Sequence, residues 1–168
     1  GAHLDIKALK NSTSAIVDSR PSSIEVGDDG AAIFSNKKLQ IKGAGSLNVS
    51  SAYHSGLASD SKVEAAKATL TVNSYSHAIK AHDSIILGGV KDLGSFNLSS
   101  TETDGTCIRV DEDNEAATPV YGNAETDDDI AGIEIKDGVY AISSKGNAIS
   151  SEAHVYMEGG SGSVSSSS

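Results

Sequence analysis

The chain has 168 residues, enough for one domain with its own core, yet it holds no tryptophan, two phenylalanines and five tyrosines beside 17 glycines. That composition excludes a thick core built on large aromatics and suits many short strands with small residues between them. A formal net charge of −10 argues against nucleic acid and against an anionic membrane surface, since both need clustered Lys and Arg.

Residues 1–23 are the least regular part of the chain. LDIKAL from Leu4 and SIEV from Ser23 read as short strands, with Arg20-Pro21 breaking between them. Asp28-Asp29-Gly30 reads as a turn. From Ala32 a ten-residue pattern recurs. Ala32 to Ile41 reads AIFSNKKLQI, Gly56 to Ala65 GLASDSKVEA, Ala78 to Leu87 AIKAHDSIIL, and Ala148 to Met157 AISSEAHVYM. Cys107 to Glu112, CIRVDE, gives the first half of another copy. Each copy opens on a small residue and an aliphatic. A polar turn residue follows three positions later: Asn36, Asp60, His82, Asp111, Glu152. Three further on an aliphatic returns in the complete copies: Leu39, Val63, Ile85, Val155.

Between copies lie short alternating segments: SLNV from Ser46, TLTV from Thr69, SFNL from Ser95, and GIEI and VYAI from Gly132 and Val139. SKVEAAKATL from Ser61 has helix-friendly composition, but its alignment with the other copies overrides that preference. Residues 112–131 form an acidic insertion, and the Gly/Ser-rich residues 159–168 are expected to fray or to lead into a linker. The expected fold is all-β, one domain over 1–168: a right-handed parallel β-helix with three short strands per coil. A β-sandwich also has many short strands with turns. It gives no reason for the same column order to repeat, so the helix is favoured.

Three sets of side chains could carry chemistry. Asp111 to Asp129 holds eight acids and no Lys or Arg. Carboxylates on corner loops suit calcium, and Asp60, Asp83 and Asp111 are expected on adjacent rungs roughly 5 Å apart. The competing reading is a solvated acidic loop. Lys80 and Arg109 follow their column aliphatics on successive coils, so both should point outward and lie close, near His82. They would suit a sugar carboxylate, or a base and charge neutraliser in a lyase; two surface cations on an acidic face is the plainer reading. Tyr53 and Tyr75 should stack at one edge as a platform for apolar sugar faces; Tyr140 and Tyr156 read as packing residues. The five histidines lack zinc spacing and read as turn or surface residues. Cys107, the one cysteine, sits in the small-residue column and reads as buried. No nucleophile motif and no membrane-length apolar run is present. Gly1 reads as the scar of a cleaved tag, so the missing leader says little about localisation.

The stretches GAAIFSNKKLQIKGAGSLNV, HSGLASDSKVEAAKATLTVNS, HAIKAHDSIIL and TDGTCIRVDEDN resemble coils of a bacterial family. That family is the secreted carbohydrate-binding β-helix proteins first described from a cellulolytic clostridium. The resemblance spans about residues 24–160. It implies a right-handed parallel β-helix, bound calcium, and binding of plant polysaccharides such as cellulose and polygalacturonate, in a fold related to pectate-lyase-like enzymes. It carries over Asp104, Asp111 and Asp113 as calcium acids. Ser55-Gly56, His77-Ala78 and Asn147-Ala148 stand where the family has Asp-Gly, which implies fewer calcium sites here.

The expected function is non-catalytic binding of an extracellular polysaccharide, cellulose or acidic pectin, by a monomer with structural calcium, outside the cell or on a bacterial surface. The metal ligands are expected among Asp60, Asp83, Asp104, Asp111 and Asp113. The sugar contacts are expected from Tyr53, Tyr75, Lys80, His82 and Arg109. The alternatives are a calcium-dependent polysaccharide lyase and a structural adhesin or stalk segment.

Overall fold

The computed structural model describes residues 3–22, 30–89, 93–111 and 131–167. Its strands follow one another in coils. The first coil is β1 (Leu4–Lys7), β2 (Thr13–Asp18) and β3 (Ala31–Ser35). The second is β4 (Leu39–Lys42), β5 (Ser46–Ser51) and β6 (Ser55–Ser59). The third is β7 (Lys62–Ala65), β8 (Thr69–Ser74) and β9 (Ile79–Ala81). The fourth is β10 (Ser84–Leu87), β11 (Gly94–Ser100) and β12 (Thr106–Val110). The fifth is β13 (Gly132–Ile135), β14 (Gly138–Ser144) and β15 (Asn147–Ser151). A last partial coil holds β16 (Val155–Met157) and β17 (Ser161–Ser166).

Every pairing is parallel and joins each strand to its counterpart one coil away. Three sheets result: a first of β1-β4-β7-β10-β13-β16, a second of β2-β5-β8-β11-β14-β17, and a third of β3-β6-β9-β12-β15. The fold is the expected all-β parallel β-helix with three strands per coil. SKVEAAKATL divides into β7 and β8, so ladder pairing overrides helix composition. Among the described residues no helix is long and apolar enough to cross a membrane.

Alternation along each strand decides what faces inward. In the first sheet the inward column runs Leu39, Val63, Ile85, Ile133. In the third it runs Ile33, Leu57, Ile79, Ile108. All are buried, and the columns merge into one core. Cys107 is buried among them, and burial pushes its thiol up to about 12. A thiolate is thereby suppressed.

The inward column at the end of the second sheet is a serine ladder: Ser51, Ser74, Ser100 and Ser144, all buried. Ser100 and Ser144 hydroxyls lie 2.8 Å apart, and Ser144 Oγ accepts from the Gly146 amide at 3.1 Å. Short hydroxyls here satisfy corner amides that would otherwise be buried without partners.

Asp18 begins this ladder in the first coil. Arg20 clamps it with Nε 2.8 Å from Oδ1 and Nη2 2.7 Å from Oδ2, and Ser51 Oγ donates to Oδ2 at 3.3 Å. The Arg20 hydrogen bond is the main reason that the Asp18 carboxyl falls from its ordinary 3.8 to about 2. A depressed folded value contributes stability above the unfolded value and loses it as pH falls through the folded one. Arg20 is partly exposed, so solvent screening reduces the contribution to about 1 kcal/mol. Chemical denaturation should therefore show a loss of that size between about pH 4 and pH 2, and Asp18→Asn should remove that component. An unchanged pH slope in the variant would refute the assignment.

Two stretches differ from the sequence reading. Thr13–Asp18, placed in the irregular part, is β2 and pairs in register with β5. The tail expected to fray contributes β17, which pairs with β14. In both, the neighbouring strand supplies the backbone hydrogen bonds whatever the side chains are. Tyr140 packs as expected. Tyr156 does not: it occupies the outward position of β16, in register with Glu134, and is exposed. The SIEV strand and the Asp28-Asp29 turn lie outside the described residues.

Candidate functional site

A ligand can meet this fold only on its outward side chains, its corners or its ends. On the third sheet Lys80 and Arg109 are register partners, close and outward as expected. Asp111 bridges them. Lys80 Nζ is 3.3 Å from its Oδ2, and Arg109 Nε bonds its Oδ1. Burial pushes the Asp111 carboxyl up, but the two cations outweigh it and hold it below the ordinary range. Just before β9, His77 Nδ1 lies 2.6 Å from the Thr106 carbonyl oxygen. Burial lowers the His77 value, as do the Arg109 and Lys80 charges, against that hydrogen bond. The imidazole is neutral at pH 7, so its Nδ1–H donates to the carbonyl.

Asp60, His82 and Asp111 occupy equivalent turn positions on successive coils. Each donates its amide to the strand end one coil back: Ser35, Ser59 and Ala81. Asp83 stands one residue further on, where its Oδ1 meets His82 Nδ1 at 2.9 Å. Asp104 is exposed in the turn before β12, and Asp113 lies outside the described residues. Among the described residues no three His, Cys, Asp or Glu side chains are grouped to hold a metal ion. Asp111 is engaged by two cations and Asp83 by a histidine, so the described acids do not fit a calcium site, which needs several oxygens converging on one point.

Tyr53 and Tyr75 sit in the corner turns after β5 and β8, both exposed, 48% and 41%. They lie on the rim between the second and third sheets. The stacked ring pair among the described residues is in the core: Phe96 and Tyr140, centroids 5.1 Å apart. His54, read as a turn or surface residue, is buried at this corner. Its Nε2 has no hydrogen-bond partner among the described residues.

The outer face of the first sheet is laced with charge. Lys42 pairs with Asp5 at 3.1 Å and Lys38 with Glu64 at 2.6 Å; Gln40 donates to Glu64 at 2.8 Å, and Lys136 pairs with Glu134 at 3.2 Å. At its corner with the second sheet, Lys7, Lys10, Lys42 and Lys67 line an open cavity of about 580 Å³.

The outer face of the second sheet is different in kind. Its three outward columns run in register across six strands. The first is Thr13, Ser46, Thr69, Ser95, Val139, Ser161. The central one is Ala15, Asn48, Thr71, Asn97, Ala141, Ser163. The third is Val17, Ser50, Asn73, Ser99, Ser143, Ser165. No residue in these columns is charged, in a chain where 21% of residues are. Ser99 Oγ donates to Asn73 Oδ1 across the strands at 2.8 Å. The sequence reading named no binding residue on this face. The alternation in SLNV, TLTV and SFNL pointed to it, once the strands were set in register.

A family model described as carbohydrate-binding domain-containing protein matches residues 2–168. No curated protein and no solved structure matches the chain.

Proposed function

The chain belongs to the family of carbohydrate-binding domain-containing proteins, and from that premise we propose that it binds an extracellular polysaccharide of plant cell-wall type without cleaving it. The supporting observation is geometric. Outward side chains recur at the coil spacing, about 4.8 Å, over six strands of one sheet. A row of equivalent contacts matches a polymer of equivalent units, and each weak contact is multiplied along the row. A small molecule would use one step of it.

The lyase reading asks Lys80 to act as a base. Lys80 and Arg109 are instead both drawn onto Asp111, an arrangement that offers neither as a free base, and this supports a binding role. Retention of the protein on cellulose, and its migration in gels containing soluble β-glucan or polygalacturonate, test the proposal. Slowed migration or retention with at least one, and no unsaturated product from polygalacturonate, is the expected result. No interaction with any of them ends it.

Calcium enters the proposal as a structural ion; of its expected ligands, Asp113 lies outside the described residues. A ligand bound by the native state alone raises its stability, about 2.7 kcal/mol at a hundredfold excess over Kd. The melting temperature is expected to be higher in calcium than in chelator; equal values would remove the ion from the proposal.

A further inference from the structure

We propose that the outer face of the second sheet is the docking face, that its ligand is an uncharged polysaccharide, and that the sugar chain lies along the solenoid axis with one sugar per strand. This rests on the carbohydrate-binding reading and assigns it a surface, a ligand class and a direction.

The ligand class follows from the chemistry of the face. Ser, Thr and Asn side chains each present donors and acceptors, as sugar hydroxyls do, so either partner can supply the proton. The carboxylates of an acidic polymer offer acceptors alone and would gain from cations, which these three columns lack. The chain's net charge of −10 opposes approach by a polyanion as well. The first and third sheets present ion pairs instead. Those groups must give up both water and partner to meet a neutral sugar.

The direction follows from spacing. Neighbouring strands repeat about every 4.8 Å, whereas same-face residues along one strand repeat about every 6.6 Å. The shorter repeat is about one pyranose along an extended chain. A polymer crossing the strands therefore keeps each sugar over the same column; one lying along a strand drifts out of step. The central column Asn48, Thr71, Asn97 supplies its polar floor. Short side chains on a hydrogen-bonded sheet lose little freedom on binding. Tyr53 and Tyr75 stand exposed at the rim on neighbouring coils.

The test compares wild type with Thr71→Lys and Asn97→Lys, each exposed or partly exposed and set in the central column, and with Gln40→Lys on the first sheet as control. Each is titrated with β-linked glucan oligosaccharides of increasing length and with polygalacturonate, after melting curves confirm folding. Both central variants should weaken glucan binding at least about tenfold, because a buried, unpaired ammonium costs more than the roughly 1.4 kcal/mol that tenfold represents. Gln40→Lys should bind as wild type. Affinity should rise with oligosaccharide length and level off near six sugars, the number of strands in the sheet. If wild type binds glucan and both central variants bind equally well, the face is refuted while the binding function stands. A preference for polygalacturonate refutes the uncharged ligand and directs attention to the lysine-lined corner. Saturation at two or three sugars refutes the axial direction. Failure of wild type to bind any polysaccharide refutes the function itself.

Discussion

Tyr140→Ala should lower the unfolding free energy by about 3–5 kcal/mol, the largest effect expected of a single truncation in this chain. Tyr140 fills the inward column of the second sheet directly over Phe96, its register partner. The rings stack at 5.1 Å and are nearly parallel. In a chain with two phenylalanines and no tryptophan, this pair is the bulkiest packing unit in the core. The phenol adds a second role. Its oxygen lies 2.8 Å from the Lys136 carbonyl and 3.0 Å from that of Leu87, tying the first-to-second-sheet corners of two coils together. Burial pushes the phenol up to about 12, so it stays a donor at neutral pH. Tyr140→Phe separates the two roles. It keeps the ring and leaves the corner carbonyls short of a donor, for a loss of about 1–3 kcal/mol. Urea denaturation at constant m measures both. A loss below about 1 kcal/mol for Tyr140→Ala would show that the stacked pair does not hold the coils.

Gly88→Val should be nearly as damaging, for a different reason. Gly88 turns that same corner with φ +82°, where a β-branched residue is strained. A Cβ at this position would also run into the Asp137 carbonyl oxygen and the Tyr140 hydroxyl. Backbone strain and overpacking each cost roughly 1–3 kcal/mol. Together they should lower the melting temperature by roughly 10 °C, at about 2–4 °C per kcal/mol for a domain of this size. Gly89→Val is the internal control, since its Cβ would meet nothing within 4 Å. Equal melting of the two variants would mean that the corner yields freely, contrary to the geometry.

The core was readable in the sequence because burial on every coil selects the same residue type. Ile33, Leu57, Ile79 and Ile108 recur at matching places along the chain, and they stand in register as one column. The first coil was harder to read. At its inward positions β2 carries Ser14 where β5 has Leu47, and Asp18 where later coils have serine, so the pattern lacks its usual apolar marks. The site was hidden for the opposite reason. Ser, Thr and Asn outside the core are also common turn residues, and only the register of six strands turns them into columns. Lys80, Arg109 and Asp111 were found because charge is conspicuous in a sequence. Their plainer reading, two surface cations on an acidic face, agrees with the pairing of both on Asp111.

The one-coil reach of every strand pairing also sets how the protein bears load. Among the described residues no hydrogen-bond ladder joins a coil to any but its two neighbours, so a pull on the two ends loads the turns of the solenoid in series, as in a wound spring. Coils of 22 to 48 residues would unspool singly from the ends, each releasing roughly 70–170 Å of chain at about 3.3–3.6 Å per residue. Anchored at one end and attached to a polymer along its side, such a molecule would lengthen in steps under tension while the coils not yet unwound kept their grip.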